Sequence, residues 1–279
     1  EGLPQGLFLS RSEALVEHVT VSGGTPIPPQ YPVWLAGIAV QGDPALNEPG
    51  HLLLRESVVA HQPESGVALI DASADIVSTL LRGNAHDEKH DATVKAQDHA
   101  TVTVRHSALL ENHHSGLNLQ GSTGVLDSSV IRGVLPTADG GNGIAIRGFV
   151  GTKPTPAFLT VRSSLIEDCV EAAIGAIETD VVIETSILRD VKARPSDGLF
   201  GDALVMMSTT PERGPAVLSG LRVEKVARAG ISTFGGKVDL GFTWSSCATF
   251  PLAGEALEGV PFSFNKTGDN VCGCPEAED

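Results

Sequence analysis

One phrase recurs along this chain at a near-constant spacing, interrupted by insertions. The segments HLLLRESVV, SADIVSTLL, ATVTVRHSALL, GSTGVLDSSVI, AFLTVRSSLI, DVVIETSIL and PAVLSGLRV align beneath one another. The last apolar residue of the phrase falls at Val59, Leu81, Leu109, Ile131, Ile166, Leu188 and Val223, with successive intervals of 22, 28, 22, 35, 22 and 35. A second apolar strand follows each copy. From Val59, Leu109, Ile166 and Val223 the step to it is short, reaching Val67, Leu117, Ile174 and Ile231. From Leu81, Ile131 and Leu188 it is at least half as long again, reaching Val94, Ile144 and Leu204. Short and long turns therefore alternate, and the true repeat is a pair of coils. No stretch carries an apolar face at helical spacing. Coils of about 22 residues built from strands and turns predict a right-handed parallel β-helix of seven or eight coils.

Solenoids grow by adding coils, which explains 279 residues with no linker rich in Pro, Gly and Ser. Residues 1–36 fit the repeat poorly and are expected to form an N-terminal cap or imperfect coil. Residues 37–235 make the regular solenoid, and 236–279 a C-terminal cap that stops end-to-end strand pairing. Aromatic residues are only 4% of the chain, which suits a narrow tube of aliphatic columns and argues against an aromatic-lined pocket. A net charge of −15 makes nucleic acid a poor partner, because clustered Lys and Arg are needed to displace its counterions. No apolar run approaches the length of roughly 20 residues that a membrane-spanning helix needs. The first residue is Glu, so a removed leader is expected, and with it a secreted or surface-anchored monomer.

Of the four cysteines, Cys247, Cys272 and Cys274 fall near the C-terminal end, in a polar, Gly-rich and Pro-rich stretch. This pattern favours a disulfide from Cys247 to Cys272 or Cys274, stapling the cap. Cys169 is expected to be a small buried hydrophobe.

Two further columns follow from the alignment. Ser57, Thr79, Ser107, Ser129, Ser164 and Ser186 precede the apolar column by two residues. They should point inward as a hydroxyl ladder along the rod. Every coil has one, so a nucleophile is not implied. The next residue after the apolar column reads Arg132, Glu167, Arg189, Glu224, which predicts an exposed ladder of ion pairs.

The three long turns hold the candidate site, since loops on a rigid scaffold commonly carry function. They contain His86, Asp87, Glu88, His90, Asp91, Asp139, Asn142, Asp197 and Asp202. Stacked two coils apart, they would form one acidic ridge that binds a polysaccharide or cell-surface glycan. Asp139, Asp197 and Asp202 are the candidate oxygen ligands for calcium, the one cofactor considered. Asp, Gly and Asn are also ordinary turn formers, and that reading stands beside the functional one. His86 and His90 lack the His-Glu-x-x-His pattern of metalloproteases, and a solvated loop is expected there. His113 and His114 lie in a short turn with no acid partner identified. There is no phosphate-binding loop, dinucleotide fingerprint or nucleophile elbow.

The phrases VIRGVLPTADGGNGIAI and ILRDVKARPSDGLFGDALVM, with the terminal GDNVCGCPE, carry a resemblance. They resemble secreted right-handed β-helix repeat proteins of the pectin-lyase-like superfamily, of the type common in myxobacteria and related predatory proteobacteria. The resemblance covers roughly residues 50–275. It implies an exported surface protein and supplies no catalytic residue. The Asn-Thr-Asp, Asp-Asp and Arg-Ile-Lys signatures of pectin hydrolases are absent, as is the Arg-x-Pro-x-x-Arg setting of pectate lyases. The expected function is a non-catalytic, adhesin-like β-helix. A polysaccharide lyase or glycoside hydrolase and a calcium-stabilised rod are the alternatives.

Overall fold

The computed structural model describes residues 6–23, 36–46, 48–85, 92–138, 140–152, 155–211, 213–246 and 248–273. These form a right-handed parallel β-helix of three sheets with ten strands each, and no helix occurs among them. Each coil contributes one strand to each sheet, in the order first, second, third. Nine strand spacings of about 4.8 Å give a rod of roughly 43 Å.

Ten coils form, where the phrase predicts seven or eight. The outermost coils use Leu7–Ser10, Glu13–Glu17 and Thr20–Ser22 at one end, and Phe250–Glu255, Phe262–Lys266 and Val271–Cys272 at the other. Parallel pairing needs only an extended backbone in register. An end coil is covered on one side alone and has no need of the full aliphatic phrase.

The predicted apolar column is the register of the third sheet. Val59, Leu81, Leu109, Ile131, Ile166, Leu188 and Val223 pair in sequence. All seven are fully buried. A second core column runs Val67, Val94, Leu117, Ile146, Ile174, Leu204 and Ile231 along the first sheet. Ile146 holds this place instead of Ile144, the residue chosen from the spacing. The turn before it is two residues longer than counted. Ile144 pairs with Ser115 at the start of its strand and clusters on the outer side with Ala172 and Val205.

The corner between the second and third sheets shows how the chain turns. Glu56, Ser78, His106, Ser128, Ser163 and Thr185 each take φ between 48° and 50° there. The left-handed region costs a non-glycine residue about 1–2 kcal/mol. The hydroxyl ladder that follows offsets this cost. Thr79 N–H donates to Ser107 Oγ at 3.1 Å, Ser107 N–H to Ser129 at 3.1 Å, Ser129 N–H to Ser164 at 3.2 Å and Ser164 N–H to Ser186 at 3.2 Å. Each of these hydroxyls donates in turn to the carbonyl two residues earlier. An amide ladder absent from the sequence reading does the same work at the third-to-first corner. Gln62 N–H donates to Asn84 Oδ1 at 3.1 Å, and Asn84 N–H to Asn112 Oδ1 at 3.0 Å.

The charge ladder forms around one carboxylate. Glu167 lies between Arg132 and Arg189 in register and accepts from both, with Arg189 at 2.6 Å. Burial raises its pKa, and the two guanidinium hydrogen bonds outweigh this, so the carboxyl titrates below its ordinary value. Glu224 departs from the expected ladder by pairing with Arg222 of its own strand.

Cys169 is buried and free, as expected. Cys272 is exposed and free, so the expected bridge through Cys272 is not formed. Its strand is seated by backbone pairing, Ser245 opposite Cys272, without a cross-link. Cys247 and Cys274 lie outside the described residues.

Candidate functional site

The long turns all connect the third sheet to the first, so they rise over the start of the first-sheet strands. Of the residues chosen there, His86, Asp87, Glu88, His90, Asp91 and Asp139 lie outside the described residues. The second and third turns do meet. A Cβ added at Gly140, whose φ is 81°, would lie 3.1 Å from the Ser196 nitrogen. Asn142 adopts a φ of 60°, donates its N–H to Glu171 Oε2 at 2.9 Å and accepts from Arg147 at 3.4 Å.

Asp197 and Asp202 are each taken by an arginine. Asp197 accepts from Arg194 and from the Leu199 N–H at 3.0 Å, and these two bonds, the arginine's first, hold its carboxyl below the ordinary range. This is a turn-forming role on the surface. Asp202 is fully buried at the start of its strand, inside the wall instead of on an open ridge. It accepts from Arg228 Nε at 2.8 Å, Ala229 N–H at 2.9 Å and Ser232 Oγ at 3.2 Å. Arg228 and Arg194 flank the Phe200 ring, at 5.4 and 4.7 Å from its centroid. The two aspartates therefore serve to hold Phe200 between the arginines. Among the described residues, no group of three or more His, Cys, Asp and Glu side chains gathers as a metal site would.

The residues beneath those turns form a cleft that the sequence reading missed. It has a volume of about 330 Å³ and lies on the outer face of the first sheet, across Ile144–Phe149, Ala172–Ile177 and Asp202–Met207. Arg147, Phe149, Glu171, Ile177, Phe200 and Met207 line it. Phe149 and Phe200 make it partly aromatic, against the expectation from composition.

Arg147 is the cation of this cleft. Its guanidinium lies 3.3 Å from His114 Nε2 and 5.9 Å from the Phe149 ring centroid. Burial lowers the Arg147 pKa, and the charge of Glu171 raises it part of the way back. His114 is buried in a left-handed conformation, its N–H bonded to the Leu135 carbonyl at 2.9 Å. Glu171, with φ of 72°, ties the second and third turns together. Its carboxylate holds the Asn142 N–H, and its carbonyl accepts from Gly201 and Asp202 N–H at 2.8 and 3.2 Å.

The outer face of the first sheet changes character along the rod. Lys95, Asn118 and Arg147 stand in one register, and Gln97, Gln120 and Phe149 in the next. Beyond them Ile177 pairs with Met207 and Met207 with Phe234. A short polar stretch thus passes into an apolar one at the cleft. The strand phrases IAIRGF, AIGAI, LVMM and ISTF carry this signal in their last residues, Phe149, Ile177, Met207 and Phe234, which face outward.

A right-handed parallel β-helix with a cleft on one solvated sheet is the class these features define. No protein-family model matches the chain, and no curated protein does. Among solved structures it is similar to the PL6 family alginate lyase AlyGC, with a TM-score of 0.39 and 10% identity over 98% of this chain and 40% of that one. It is also similar to the surface protein and adhesin PfbA of Streptococcus pneumoniae, with a TM-score of 0.29 and 10% identity over 97% and 92%. The catalytic domain of a GH87 alpha-1,3-glucanase gives a TM-score of 0.29 and 12% identity over 99% and 62%. The chain therefore spans well under half of the lyase. Likenesses this remote decide no activity. Among the described residues no helix is long and apolar enough to cross a membrane.

Proposed function

We propose that this chain is an exported β-helix that binds a glycan along the outer face of its first sheet. The observation that carries the reading is the cleft at Arg147: a half-buried cation beside Phe149, in a floor that Phe200 also lines, with no ion pair to it among the described residues. A half-buried charge with no close ion-pair partner favours an anionic or strongly hydrogen-bonding ligand. The floor also suits a chain molecule. Side chains recur along it once per coil, about 4.8 Å apart, close to the length of one sugar unit. Lys95 and Gln97 on one coil and Gln120 on the next continue the polar row beyond the cleft, so a longer glycan would meet further polar groups on those two coils.

A lyase or hydrolase is the second reading, favoured by His114 and Glu171 standing close to Arg147. One experiment separates the two. The protein is applied to a glycan array, and bound polymers are then incubated with it and assayed for new reducing ends and unsaturated uronate. Saturable binding without new ends is expected, and Arg147→Gln should weaken it at least tenfold. Release of new ends would replace binding by catalysis, and an array without hits would overturn the glycan reading.

A further inference from the structure

The cleft is more specific than a groove for polar sugars needs to be. Outward columns of a solvated sheet face are ordinarily polar. Here Ile177, Met207 and Phe234 run consecutively along one outward column, with Phe149 at its head, and Ile177 keeps 47% of its surface exposed. Half-buried carbon continued over consecutive coils around an exposed Ile177 marks a contact surface. The neighbouring outward column holds Arg147, then Gly175, then Val205.

Gly175 is the informative residue. It sits mid-strand, where glycine weakens pairing and commonly marks a close approach by a ligand. Nothing in the fold asks for it. Its φ is not in the left-handed region, and an added Cβ would touch only the Ile144 side chain, at the ordinary distances of 3.6 and 3.7 Å. Its missing side chain leaves the cleft open between the guanidinium and the apolar column.

The spacing sets what fits there. Arg147 and Phe149 are two residues apart on one strand, and so about 6.6 Å apart along it. A ligand that satisfies both columns carries an anion and a small apolar group on opposite sides of one flat unit. A pyranose with a carboxylate on C5 and an acetyl group on C2, the opposite ring position, has that arrangement. We infer that the cleft selects an acidic sugar acetylated across the ring from its carboxylate. The carboxylate meets Arg147, the ring lies over Gly175, and the acetyl methyl packs on Phe149 and Ile177. This rests on the glycan-binding reading and names the ligand class for the same site.

The test uses the full chain and calorimetry with three probes: an O-acetylated polyuronate, the same polymer after saponification, and an acetylated but uncharged chitin oligomer. The acetylated polyuronate should bind at least tenfold tighter than either of the others. Ile177→Ser should erase the preference for acetyl groups, and Arg147→Gln the preference for charge. Gly175→Val should lose binding at an unchanged melting temperature, since valine suits an outward strand position. Equal affinity for the acetylated and saponified polymers would overturn the inference while leaving a glycan-binding protein. Undiminished binding by Gly175→Val would overturn it by moving the ligand off the cleft. Failure of all three probes, with hits elsewhere on a glycan array, would overturn the ligand class alone.

Discussion

Replacing Asp202 by alanine tests whether this carboxylate is a structural clamp. The side chain is fully buried and accepts from Arg228, Ala229 N–H and Ser232 Oγ. Its removal leaves the Ala229 N–H without its acceptor and takes the counter-charge from Arg228, whose pKa the Asp202 hydrogen bond raises. Breaking a fully buried pair costs about 3–5 kcal/mol. The Arg228 side chain is 35% exposed, so water recovers part of that, and a loss of about 2–4 kcal/mol is expected. Asp202→Asn keeps the shape and one acceptor and should lose less. Urea unfolding gives the total, and hydrogen exchange should place the loosening in the coils that contain Asp202–Met207 and Ala229–Phe234. A loss under about 0.5 kcal/mol, the range of ordinary surface changes, would refute the clamp. So would a matching loss in the parent protein on adding EDTA, which would assign the carboxylate to a cation.

Leu109→Ala should cost about 2–5 kcal/mol by urea unfolding, because the fully buried column cannot collapse into the space left by its side chain. Glu167→Gln should destabilise the chain above the ordinary glutamate value of 4.5, where the carboxylate is ionised in both states. The folded pKa is lowered, so the advantage of the parent shrinks as pH falls through it, and a difference that grew on acidification would contradict the ladder. In the native protein Cys272 should react at once with a thiol reagent. Burial pushes the Cys169 thiol up to about 12, with Asp168 adding to the shift, so it should react only on unfolding.

The sequence carried the solenoid because its core is periodic. Val59 through Val223 recur in phase with the coil, and the Ser and Thr column repeats the same corner coil after coil. The end coils were only partly legible: Val21 continues the apolar column opposite Val59, but the long segment between them hides its phase, and at the other end Val-Cys pairs with Trp244 and Ser245 without an aliphatic phrase. Spacing alone does not separate Ile144 from Ile146, because strand alternation would give both the same face; the strand start turns Ile144 outward, and only the pairing with the neighbouring strands shows it. The cleft was hidden by the same logic. Arg147, Gly175 and Ile177 come from two coils and become neighbours only through register, whereas the acidic turn residues stand close together in the sequence. Asp197 and Asp202 were expected on an open acidic ridge, but their partners, Arg194 and Arg228, turn them into supports for Phe200.

The alternation of short and long turns also has a mechanical side. Every backbone hydrogen bond between coils runs along the rod, so a load applied along that axis would peel the coils off singly and not shear them together. A short coil would release about 22 residues, or about 75 Å of extended chain, and the longest about 38 residues, or about 130 Å. A rod anchored at one end and pulled at the other would then lengthen in steps of unequal size, alternating between the two. Such a tether yields in small instalments, keeping the remaining coils, and whatever they hold, intact until their turn comes.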